Sequence, residues 1–150
     1  MRPSTKLLAV ACGLALAGAT QAEEPCALLE KKASEVMGLP AGKLERIASG
    51  KTTVCTIWST DRVGRLSLSL QPKSGMPLGT TRMIAEKSRD PEQTLRDEPS
   101  LGKDAFSLRE KDKIAFFADG ASLNFNKDSG VGDADAERVR ALAKALLQAK

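Results

Sequence analysis

The chain has 150 residues, with 23 Lys and Arg against 19 Asp and Glu, and it contains neither His nor Tyr. Without His it cannot build Ser-His-Asp or Cys-His catalysis, and it lacks the commonest transition-metal ligand. Four Phe and a single Trp are too few for a carbohydrate platform or a stacking surface for single-stranded nucleic acid.

The first 22 residues read as an export signal. Arg2 and Lys6 form a basic start, and Leu7 to Ala17 is an apolar run too short to span a bilayer. Thr20 and Ala22 offer small residues before an acidic Glu23-Glu24 pair, so cleavage is expected after Ala22, with Ala17-Gly18-Ala19 a second site. A lipid on Cys12 is not expected, because Ala9 stands where a lipobox needs a Leu-like residue. Residues 23–150 then form one domain, long enough for its own core, in the periplasm or outside the cell. Losing Arg2 and Lys6 leaves 21 basic against 19 acidic residues, a net +2. That balance gives no basic face for nucleic acid, and no later segment is apolar enough for a membrane helix.

Cys26 and Cys55 are the cysteines left in an oxidising compartment, and a bridge between them is expected. It would close a loop of about 30 residues, worth roughly 3.5 kcal/mol in the chain-entropy model. A redox pair would more often be a close C-x-x-C at a helix start.

In chain order, "EEPCALLEKKASEVMGLP" predicts a first helix, started by Pro25 and stopped by Gly38 and Pro40. Cys26, Leu29, Ala33 and Val36 share one face of it. "KLERIASGKTTVCTIW" predicts two strands around a Ser49-Gly50-Lys51 turn, and "RLSLSLQP" a third with Leu66, Leu68 and Leu70 on one side. "STDRVG" joins the second and third as a hairpin. "TTRMIAEKSR" predicts a short helix packed through Met83, Ile84 and Lys87, and "DPEQTLRDEPSLGKD" an exposed, charged loop. "AFSLRE", "IAFFA" and "ASLNFN" predict three more strands, the last two joined at Asp119-Gly120. "ADAERVRALAKALLQAK" closes the chain as a helix capped by Asp133, with Val139, Leu142, Ala143, Leu146 and Leu147 on one stripe. The expected fold class is α+β, order α-β-β-β-α-β-β-β-α, with an antiparallel sheet of about six strands and helices packed on it.

The cysteine at the first helix start, the "VCTIW" strand, the "LGKDA" turn and the closing "LAKALL" helix resemble the small exported domains of actinobacterial lipoproteins. They are also similar to the extracellular sensor domain of bacterial Ser/Thr kinases. The chain departs from that pattern in lacking a lipobox and in its C-x-x-W spacing. The resemblance implies extracytoplasmic sensing or binding and carries no catalytic residues with it.

Other motifs are outweighed by plainer readings. Asn124, Asn126 and Asp128 have calcium-loop spacing, but Ser129 and Asp135 stand where Gly and a bidentate Glu are needed. "KDSGVGD" lacks the Lys of a phosphate loop. No cofactor, metal site or catalytic residue is therefore expected. Strand alternation turns Trp58 away from Cys55, either under a covering helix or towards a ligand. The expected function is a non-catalytic binding, sensing or inhibitory module engaging a protein partner in the cell envelope, through a patch around Arg89, Arg96 and Leu101. A small apolar ligand in a sheet–helix cavity lined by Trp58, Met83 and Phe117 is the alternative. A hydrolase using a carboxylate pair is a third.

Overall fold

The computed structural model describes residues 24–71 and 76–147; the stretch read as an export signal, with Cys12, lies outside the described residues. The architecture is α+β. Helix α1 (Pro25–Met37) leads into strands β1 (Ala41–Ser49), β2 (Thr52–Ser59) and β3 (Gly64–Leu70). Helix α2 (Leu78–Ser88) crosses to β4 (Thr94–Asp97), a 3-10 turn at Pro99–Leu101, β5 (Phe106–Arg109), β6 (Lys113–Ala118) and β7 (Ala121–Lys127), and α3 (Asp133–Leu147) closes the fold. The described strands form one sheet in the order β1-β2-β3-β7-β6-β5-β4, antiparallel at every pairing. Two meanders thus meet where β3 pairs with β7.

The strand count is seven, not about six. The extra strand, β4, lies in the stretch expected to be an exposed loop, and it pairs with β5 through Leu95 opposite Leu108 and Asp97 opposite Phe106. "TLRD" has no alternation to announce a strand; a partner edge supplies its order. The same stretch buries Glu98 and Leu101, each 2% exposed.

Helices α1 and α3 share one face of the sheet. The α1 stripe is as its spacing predicts: Cys26, Leu29, Ala33 and Val36 are buried, and Gly38 ends the helix in a left-handed conformation with φ 66°. Val139, Leu142, Ala143 and Leu147 of α3 join them over Ile57, Leu66, Leu68, Phe116, Leu123 and Phe125. Cys26 and Cys55 are paired, with Cα atoms 5.9 Å apart, tying the first turn of α1 to β2. Asp133 does not cap α3 as expected. The helix begins on it, and the carboxylate that accepts a backbone N–H is Asp135, from Gly132 at 3.0 Å.

Helix α2 lies against the opposite face, at the β5–β6 end. Leu78 and Thr81 line an open cleft with Phe117, Ser69 and Ser122, and Arg82 Nε donates to Asp97 Oδ1 at 2.7 Å. The expected packing through Met83, Ile84 and Lys87 is not what forms. Met83 and Ile84 are 47% and 49% exposed, Lys87 is exposed, and the half-buried side carries Leu78, Thr81, Arg82 and Ala85. The inner stripe holds two polar residues among its four, because the ion pair to Asp97 sets the helix's rotation as much as apolar contact does.

Candidate functional site

Strand alternation and register fix which side chains share the face opposite α1 and α3. One row across four strands reads Trp58, Arg65, Asn126 and Lys113; the next reads Thr56, Ser67, Asn124 and Ala115; a third reads Val54, Ser69, Ser122 and Phe117. Ala115 is buried, and Phe117 is half-buried and lines the cleft beside α2. At the other end no described element covers the rows. Trp58, Arg65, Thr56, Ser67, Asn124 and Asn126 are all half-buried there.

The β2–β3 hairpin builds the centre of this open surface. The Ser59 hydroxyl donates to Asp61 Oδ1 at 2.6 Å and accepts from the Gly64 N–H at 2.9 Å. The Val63 N–H also reaches Asp61 Oδ1 at 3.3 Å, and the Arg62 N–H closes the turn onto the Ser59 carbonyl at 2.9 Å. These bonds hold the Asp61 carboxyl below its ordinary value, chiefly through the Ser59 hydroxyl. They also fix Arg62 at φ 65°, a left-handed conformation that a non-glycine residue adopts only when its surroundings hold it there.

So held, the Arg62 guanidinium carbon stands 5.4 Å from the Trp58 ring centroid, and that of Arg65 stands 5.1 Å from it. Both distances are within cation–π range, for which Trp is the best acceptor. Arg65 Nη2 donates to Asn126 Oδ1 at 3.3 Å, while its Nε is buried without a hydrogen-bond partner. Thr56 and Ser67 hydroxyls bond each other at 3.2 Å. Among the described residues no carboxylate pairs with Arg62, Arg65 or Lys113. Of the acids that the register puts on this face, Glu45 of β1 sits opposite Thr56, Asp97 of β4 takes Arg82, and Glu110, across the β5–β6 turn from Lys113, accepts from Gln93.

The buried acids are committed elsewhere. Ser107 donates to Glu98 at 2.8 Å, and Arg140 Nε reaches both Glu98 oxygens at 3.1 and 3.2 Å. Burial works against the Arg140 charge, and Glu98 and then Glu137 more than restore it, so its pKa is raised. Asp135 takes Lys127 and Arg138. Both clusters fasten α3 to the sheet or its loops, and neither leaves an unpaired acid beside an unpaired base.

The residues singled out in the sequence are not brought together. Trp58 lies on the open face. Phe117 is four positions along β6 from Lys113 of the Trp58 row and stacks on Phe106, with centroids 4.8 Å apart. Met83 is on the outer side of α2. Arg89 caps that helix and reaches the Gln93 carbonyl at 3.4 Å. Arg96 lies on edge strand β4 opposite Ser107. The expected cavity lined by Trp58, Met83 and Phe117 does not form: the cleft beside α2, about 360 Å³, takes Phe117 with Met76 and Leu78 and neither of the other two. Sequence reasoning missed Arg62, Arg65, Asn126 and Lys113. Hairpin pairing across "WSTDRVGR" would have placed Arg65 opposite Trp58, but not Arg62, whose position depends on the Asp61 turn.

No helix among the described residues is long and apolar enough to cross a membrane. No family model, curated protein or solved structure matches the chain.

Proposed function

We propose that the chain is an exported, non-catalytic binding module of the periplasm or cell surface, released from its 22-residue signal, and that it engages a protein partner in the cell envelope. The observation that carries this reading is the uncovered half of the sheet. A protein that buries the other face under two helices leaves here its only Trp, half-buried, with two arginines over its ring that pair with no carboxylate among the described residues. Trp58, Arg62 and Arg65 do not line the cleft beside α2, and a protein partner, unlike a small ligand, needs no enclosing pocket. Trp and Arg are the residues that most often carry binding energy at such surfaces. The paired cysteines suit an oxidising compartment.

The lone Trp makes the test direct. Hydroxyl-radical footprinting of the disulfide-intact chain, alone and in an envelope extract, should show protection of Trp58. Protection confined to the α1–α3 side, to the α2 cleft at Leu78 and Phe117, or to no part of the chain would defeat the reading.

A further inference from the structure

The cations of the open face carry a more specific conclusion, which rests on the binding-module reading above. Arg62 and Arg65 are fixed over one indole, so their forks are already ordered before anything binds. A planar fork matches a carboxylate with two parallel N–H donors, and pre-ordering removes part of the entropy cost of making that contact. Lys113 adds a third cation on the same row, with Asn126 between and Glu110 beyond it across the β5–β6 turn. The surrounding Thr56, Ser67 and Asn124 supply hydroxyl and amide groups. The indole spends its π surface on its own arginines, which leaves less of it for stacking on a sugar ring. We infer that the Trp58–Arg62–Arg65 cluster, with Lys113, receives an acidic segment of a partner protein, its Asp or Glu carboxylates bidentate to the two guanidinium groups.

Charge complementarity is what selects this occupant. The clefts lined by Phe117 and Leu78, by Asp97 and Asp104, and by Val36 and Leu142 take none of these cations. Polyanionic partners such as nucleic acid suit a chain with a strong positive field, and here the excess is +2 once the signal is removed.

Trp58 fluorescence reports on the site without a label, since the sequence holds no other Trp and no Tyr. The disulfide-intact chain would be titrated at low salt with poly-L-glutamate, with inorganic phosphate, and with vesicles of phosphatidylglycerol. Poly-L-glutamate should shift the emission saturably, and the affinity should fall steeply as salt is raised. Arg62→Gln and Arg65→Gln should each weaken binding by about tenfold, Lys113→Gln by less, and Lys144→Gln, on α3, not at all. Arg62→Gln is the safer variant, since its side chain makes no hydrogen bond in the fold; circular dichroism verifies folding of each. Phosphate or vesicles shifting Trp58 as strongly as poly-L-glutamate would overturn the choice of a protein acid. If poly-L-glutamate leaves Trp58 unmoved while envelope extract still protects it, the inference fails and the binding-module reading stands. If the extract also protects nothing on this face, both fail.

Discussion

The two halves of the sheet face opposite α1 and α3 belong to one sheet yet have opposite chemistry. On the β5–β6 side, where Phe117 lines the cleft beside α2, the rows end in Phe106, Leu108, Ala115 and Phe117, and Phe106 and Ala115 are 0% and 3% exposed. Towards the other edge and the far end of β6, they carry Thr56 of β2, Arg65 and Ser67 of β3, Asn126 of β7 and Lys113 of β6. A helix therefore decides the composition of the surface it covers, and the uncovered remainder is free to be selected for something other than packing. That half spends its one large aromatic on arranging cations, whereas the covered half stacks Phe117 on Phe106.

The sharpest way to break this comparison is to cut one residue from the helix-packed face. Phe116→Ala should cost about 3–5 kcal/mol, read as a lower urea midpoint with unchanged slope, because a fully buried ring leaves a cavity. Replacing Cys26 and Cys55 together by Ser should cost about 2–4 kcal/mol by the same measurement. Mass spectrometry of the unreduced protein should find neither residue alkylatable. Glu98→Gln keeps a partner for Ser107 but weakens the hold on the Arg140 guanidinium, which is 17% exposed; a loss of about 1–3 kcal/mol is expected, and an unchanged thermal midpoint would show that α3 does not need this pair.

On the open half the effects are local and smaller. The Asp61 carboxyl titrates below its unfolded value, so the order it gives the hairpin is complete above the ordinary carboxylate pKa of about 4 and is lost as pH falls through its lower folded value. Acidification should therefore release Arg62 from the indole. Trp58 emission should change in a step below pH about 4 that Asp61→Asn removes. Ser67→Ala, one row from the cations, should change stability by no more than about 0.5 kcal/mol, and a large loss would mean that this face is packed after all.

Much of the fold is legible in the sequence because apolar side chains repeat at the period of the element that carries them. The α1 and α3 stripes, the "RLSLSL" alternation and the Asp119-Gly120 turn all place the core correctly. The same alternation turns Trp58 away from Cys55. Whether that side is covered is not written in β2 at all; it depends on where α2 comes to rest, and Met83 and Ile84 point the helix the wrong way round. β4 is hidden for a related reason, since four mostly polar residues become a strand only when β5 offers its edge. The cation cluster is harder still. Arg62 reaches Trp58 through a turn conformation imposed by Asp61 and Ser59, and no pattern of residue types states a φ angle.

The meeting of β3 with β7 sets the order in which the molecule can be completed. α1, β1, β2 and β3 are all contained in the chain up to Leu70, and so are both Cys26 and Cys55. Yet β3 then has a bare edge, and Leu66 and Leu68 lack the cover of α3, until the chain from Ala121 onward arrives. A late, long-range pairing of this kind slows folding and exposes a sticky strand while it is awaited. The bridge between Cys26 and Cys55 lies wholly within that first half and ties α1 to β2 without any contribution from β7.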